Sequence, residues 1–165
     1  MIKIVCVGKV KDNNLKALID DYTKKVNHYH KLELIEVKDE PIKDNENTVL
    51  EIEAERVLSK INSDEYVILM DLHGKSIDSI SLANKIDKLF IKNSKICFVI
   101  GGSLGLGEKL IKRANERIKL SDLTFLHQMT RLILLEQLYR SFKILNHETY
   151  HKWYNLNKSA SNFII

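Results

Sequence analysis

The chain has 165 residues, 44% hydrophobic and 29% charged, which suits one domain with a sizeable core and contains no apolar run near the roughly 20 residues of a membrane span. The formal net charge of +4 is unevenly spread: residues 1–100 carry 16 Lys/Arg and 17 Asp/Glu, whereas residues 101–165 carry 10 and 5. The positive field therefore sits in the C-terminal part, which points to an anionic partner there or to an ordinary solvated surface.

The N-terminal "IKIVCVG" (2–8) reads as a strand, and "MIKIVCVGKVK" lacks the long apolar region of a secretory signal, so cytoplasm is the expected compartment. "NLKALIDDYTKKVNHY" (14–29) places Leu15, Leu18, Ile19, Tyr22 and Val26 on one helical face. "LELIEV" (32–37) is a strand, and "KDEPIKDNEN", which holds the one proline, Pro41, reads as a surface loop. An amphipathic helix (46–61), an apolar strand "YVILMDL" (66–72), a helix (79–91) and a buried strand "KICFVI" (95–100) follow. After a glycine turn come a helix at about 108–115, a short strand "RIKLS" (117–121) and a long helix at about 128–146. Strands alternating with helices, some apolar on both faces, predict an α/β fold with a mostly parallel sheet and helices on both faces. Cys6 and Cys97 each sit inside an apolar run and read as small buried hydrophobes.

Four of the six glycines (Gly101, Gly102, Gly105 and Gly107) fall in the turn "GGSLGLG". Neither the G-x-G-x-x-G pattern nor the phosphate-loop pattern fits it, since "EK" follows where "GK" is needed. Two readings stay open: a tight strand–helix turn using positive φ, or close approach of a ligand to bare backbone. The segments "LMDLHGKS" (69–76) and "KLSDLTFLHQMTR" (119–131) also follow strands. Three such loops lie where an open α/β sheet binds its ligand.

Together, "MDLHGK", "FVIGGSLG", "LSDLTFLHQMTRLILLEQLYRSFKI" and "YHK" (150–152) resemble the RlmH (YbeA) family of the SPOUT methyltransferase superfamily, over residues 1–152 in order and spacing. The resemblance implies a deep C-terminal trefoil knot, a homodimer, and methyl transfer from S-adenosylmethionine to N3 of a pseudouridine in bacterial 23S ribosomal RNA. It implies a donor site at Met70, Gly101, Leu120, Ser121, Asp122, Leu123, Thr124 and Phe125, and no metal. Bare backbone at the glycines would then pack against the adenosyl group.

On the long helix, Leu132, Leu134, Leu135, Leu138, Tyr139, Phe142 and Leu145 span one apolar face, while Met129, Ile133 and Ile144 form a second patch that suits a subunit partner. Arg131 interrupts the apolar face; it either snorkels past the helix end or, as a catalytic candidate, reaches the donor loops and meets RNA or the target base. Methyl transfer needs the acceptor nitrogen aligned with the donor and an acceptor for the N3 proton, for which His127, Tyr150 and His151 are the candidates. Lys109, Lys112, Arg113, Lys119 and Lys152 are the expected RNA contacts. Two features depart from the family pattern: Leu126 stands where a proline is usual, and 13 residues (153–165) extend past "YHK". The rival reading is a non-catalytic ribosome-associated RNA-binding protein that keeps the fold.

Overall fold

The computed structural model describes residues 1–42 and 45–149. In chain order the elements are β1 (Ile2–Val7), α1 (Asn13–Tyr29), β2 (Leu32–Val37), α2 (Glu46–Leu58), β3 (Tyr66–Ser76), α3 (Ser79–Lys92), β4 (Ile96–Ile100), α4 (Glu108–Arg113), β5 (Glu116–Lys119) and α5 (His127–Leu145). The five strands form one sheet in the order β2-β1-β4-β3-β5, and every pair is parallel. β4 is thus inserted between β1 and β3, two strands that precede it in the chain.

Alternation along the central strands divides the core in two, because successive side chains leave a strand on opposite faces. Ile2, Ile4 and Cys6 of β1, with Ile96, Phe98 and Ile100 of β4, pack with Ile19, Val26, Leu82, Ile86, Leu134, Leu138 and Phe142 from α1, α3 and α5. Val5, Val7, Val67, Leu69, Cys97 and Val99 pack against Ala54, Val57 and Leu110 from α2 and α4. Cys6 and Cys97 are both buried, on opposite faces of the sheet, and burial pushes each thiol up to about 12. They are small hydrophobes of the core, as their apolar surroundings in the sequence suggest. Lys3, the polar interruption of β1, is buried with Glu65 at 2.5 Å and also donates to the Lys60 carbonyl.

Helix starts follow their caps. Asp12 accepts from the Leu15 amide, Asn45 from Asn47 and Thr48, and Asp78 from Ser81, each satisfying a free N–H of the first turn. α5 has no such cap and begins directly out of the loop after β5.

One element differs from expectation. The sequence predicts that β3 ends at residue 72, with a polar loop beyond it. Instead its pairing with β5 breaks after Met70 and resumes at Lys75 and Ser76, across a bulge. A side chain at Gly74 would meet the Arg117 and Ile118 backbone at about 2.6 Å, so the bulge returns to β5 only because position 74 is bare.

Candidate functional site

A cleft of about 770 Å³ opens at the carboxyl ends of β3, β4 and β5. Its walls are the three segments singled out in the sequence: Met70–His73, Gly101–Leu106 and the stretch from Lys119 to Thr130. This is where parallel strands leave room for a ligand, since their helices pack away from that edge.

The glycine turn forms the β4 wall. Gly102 and Gly105 pair in an isolated antiparallel bridge, and the Gly105 amide donates to the Gly102 carbonyl at 3.2 Å. A Cβ at position 101 would overlap the Gly105 carbonyl oxygen. Gly105 itself has φ of 96°, a region closed to most side chains, but open space around it. The crowding at Gly101 therefore comes from the folded-back turn itself, whether or not a ligand approaches. Of the two sequence readings, positive φ holds at Gly105, and close approach of protein backbone accounts for Gly101.

Among the expected donor-site residues, Met70, Gly101, Leu120, Ser121, Leu123, Thr124 and Phe125 all line the cleft. Asp122 is absent from the lining; it is exposed and forms an ion pair with Lys119. The Ser121 hydroxyl accepts the Leu123 amide at 3.0 Å, which shapes the turn over the cleft. Asp71, Leu72, His73, Leu104, Leu106 and Thr130, which lie within the three segments, and Ile111 and Arg117, which lie outside them, also line the cleft, and Asp71 and Arg117 form an ion pair at 2.6 Å. Thr130 was legible in principle, being one helical turn beyond His127. The Asp71–Arg117 pair, 46 positions apart in sequence, was not.

His127, the first residue of α5, lines the cleft and is half-buried. Its Nε2 lies 3.5 Å from the place of a Cβ on Gly8. Burial, reinforced by the nearby Arg131 charge and opposed by Asp39, holds its pKa below the ordinary imidazole value. The imidazole is thus neutral at neutral pH and able to accept a proton.

Arg131 does not snorkel and does not line the cleft. It is fully buried, 0% exposed. Nη1 donates to Glu36 at 2.6 Å, and Nη2 donates to the carbonyls of Val7 at 2.7 Å and Gly8 at 2.8 Å, at the carboxyl end of β1. Its Nε has no partner among the described residues. Arg140 pairs with Glu136 at 2.5 Å, as the i, i+4 spacing predicts. Tyr150 and His151, with the extension 153–165, lie outside the described residues.

The basic residues expected to meet RNA are engaged within the chain. Lys109 sits between Glu51 and Glu55, and Lys112 pairs with Glu108. Arg113 donates to the carbonyls of Asn62, Ser63 and Glu65. Lys119 is the partner of Asp122, and Lys152 lies outside the described residues. No group of three or more His, Cys, Asp or Glu among the described residues is placed to hold a metal ion. No described helix is long and apolar enough to cross a membrane.

The family model described as "Predicted SPOUT methyltransferase" matches residues 1–151. The chain is 47% identical over 157 residues to a ribosomal RNA large subunit methyltransferase H from Acetivibrio thermocellus, covering 92% of this chain and 99% of that protein. Proteins of the same name from Clostridium botulinum strain 657 and Bacillus pumilus are 48% and 46% identical over the same share of the chain. A solved structure described as a probable methylase family protein from Haemophilus influenzae Rd KW20 superposes with a TM-score of 0.52, covering 91% of this chain and 68% of that one. At 16% identity that likeness speaks for the fold alone.

Proposed function

The chain belongs to the SPOUT methyltransferase family, and from that premise we propose that it moves a methyl group from S-adenosylmethionine to N3 of a pseudouridine in 23S ribosomal RNA. The carrying observation is the cleft at the ends of β3, β4 and β5, where all the expected donor-site residues but Asp122 meet. The names of the relatives, ribosomal RNA large subunit methyltransferase H, support the substrate class.

The residues present fit the donor. Leu106, Leu120, Leu123 and Phe125 offer an apolar wall for the adenine ring, and the Gly101–Leu106 backbone and Ser121 offer polar contacts for the ribose and amino-acid ends. When bound, the donor supplies an electrophilic methyl carbon. The N3 lone pair would form the new N–C bond, with the carbon–sulfur pair staying on the donor's sulfur. The N3 proton goes to the imidazole of His127, whose neutral state at neutral pH suits that role. The chain's main contribution is orientation, bringing the acceptor nitrogen in line with the carbon–sulfur bond. Arg131 serves as a positioning residue behind the site: it ties the carboxyl end of β1 to α5 one turn from His127.

A deep trefoil knot, a homodimer and a cytoplasmic location belong to the same proposal. Exposed Met129, with half-buried Ile133 on the same helix, supports an apolar subunit contact. The test is methyl transfer from labelled S-adenosylmethionine into assembled ribosomes and separate subunits lacking the modification, with the modified nucleotide mapped. Label on N3 of a large-subunit pseudouridine is the expected result. Donor binding without transfer to any particle would turn the reading toward another target, and absence of donor binding toward the non-catalytic RNA-binding protein.

A further inference from the structure

Glu53, on α2, is 5% exposed and forms no ion pair among the described residues. Its Oε1 accepts the Glu40 amide at 2.9 Å, while its Oε2 is buried and has no partner among the described residues. That open oxygen faces the glycine turn: a Cβ at position 102 would lie 2.7 Å from Oε2 and 3.1 Å from Val7 Cγ1. The carboxyl group thus occupies the place that a side chain on residue 102 would fill. Gly102 is the residue that closes the turn by pairing with Gly105, and the turn walls the cleft.

The other side of Glu53 leads to the segment after β2. Its neighbour Arg56 donates to the Lys38 carbonyl at 3.0 Å and to the Glu40 carboxylate at 2.5 Å. α2 therefore grips residues 38–40 with one set of polar groups and backs the glycine turn with Glu53. A buried carboxyl oxygen without a partner is costly, and an apolar side chain would fill the same space without that cost. Structural filling alone does not explain a carboxyl group there.

We propose that Glu53 is a positioning residue for the cleft, bracing Gly102 from behind and coupling the 38–40 segment to the turn that walls the donor site. The effect on donor affinity rests on the function proposed above; the effect on the turn does not. Facing Glu53 are Asp39 and Glu40 from the segment after β2, Arg56 from α2 itself, and apolar Val7 from β1. Burial, with the two acidic neighbours, raises the Glu53 pKa above the ordinary carboxylate value against the opposing Glu40 amide and Arg56.

The test is amide hydrogen exchange on the full chain without ligand, comparing the native protein with Glu53→Gln and Glu53→Ala. We expect Glu53→Ala to speed exchange at residues 102–106 by about tenfold or more while β1 and α3 keep their protection, and Glu53→Gln to stay within about threefold. Calorimetric titration with S-adenosylmethionine should then show binding weakened by about tenfold in Glu53→Ala and near-native in Glu53→Gln. Unchanged exchange at 102–106, or a uniform rise across the sheet, would overturn the proposal. Native protein that ignores S-adenosylmethionine while Glu53→Ala loosens the turn would sink the donor-site reading and leave the bracing role standing. Should Glu53→Ala fail to fold, Glu53→Met fills the same volume without the carboxyl group, and native-like protection of its turn would equally overturn the proposal.

Discussion

Arg131 Nη1 donates to Glu36 Oε1 across 2.6 Å, joining two residues 95 positions apart, one on α5 and one on β2. The same guanidinium caps the end of β1 through the Val7 and Gly8 carbonyls. Three separate elements are therefore clamped by one buried cation at the rear of the cleft.

Removing that cation leaves two backbone carbonyls and a partly buried carboxylate without their donor. Arg131→Met is expected to lower unfolding free energy by about 3 kcal/mol, because breaking a buried pair from one side strands the other. Arg131→Lys should recover only part of this, since an ammonium on a flexible stem does not reproduce the planar fork across three acceptors. Urea unfolding of the three proteins measures it; equal stability of Arg131→Lys and native protein would refute the clamp.

His127 and His30 both have pKa values held below the ordinary imidazole value of about 6.5, chiefly by burial. Protonation is thus harder in the folded state than in the unfolded one. Neither group penalises folding above the unfolded value, and stability falls as pH drops from about 6.5 toward the depressed folded values. His127→Gln should flatten that acidic slope in thermal unfolding measured between about pH 5 and 7. In an NMR titration, the His127 ring protons should show a midpoint below about 6.5 in native protein and a higher one in Arg131→Met, which removes the second cause of the shift.

Gly101 and Gly105 separate two reasons for a glycine. Gly105→Ala meets open space but must hold a positive φ, and should cost about 1–2 kcal/mol. Gly101→Ala must displace the Gly105 carbonyl and with it the wall of the cleft. It should weaken S-adenosylmethionine binding by about a hundredfold, whereas Gly105→Ala weakens it by about tenfold or less. Calorimetry on both variants checks the order; the reverse order would show that the turn tolerates rearrangement.

Leu126, where the family pattern has proline, sits at φ −55° and is 73% exposed. That angle lies within the range a proline ring imposes, and its N–H precedes the first helical turn of α5. Leu126→Pro should therefore stabilise the protein by about 0.4–1 kcal/mol by restricting the unfolded chain. A higher melting temperature is the expected result; a lower one would mean that Phe125 cannot adopt the backbone that a following proline requires.

Met129 is 39% exposed and Ile133 half-buried, a patch on α5 outside the face that packs on the sheet. If this patch is the subunit contact, Met129→Arg with Ile133→Arg should convert a dimer of 19.2 kDa chains to monomers in sedimentation. A native protein that sediments as a monomer would remove the dimer from the proposed function.

Strand and helix order was legible because both leave periodic traces in the chain. All ten elements stand within a few residues of their expected places. The sheet's double-sided burial was visible in β1, β4 and the Tyr66–Met70 part of β3, where, Lys3 apart, no charged residue breaks the apolar run. The lining of the cleft was legible too, because most of its residues sit in three short segments that each follow a strand.

What the chain pattern did not contain is who meets whom across the fold. The wheel showed that Arg131 interrupts an apolar face, but Glu36 and the ends of β1 reach it only once β2 and β1 stand side by side beneath α5. Gly74 and Gly101 read alike as glycines; one passes over β5 and the other under its own turn, and only the assembled backbone tells them apart. The basic C-terminal residues looked free until acidic groups from α2 and neighbouring turns came beside them. Hydrophobic period is a property of neighbouring residues and is written in the sequence. Ion pairs and close approaches depend on strand order, and placing β4 between β1 and β3 is a decision of the whole chain.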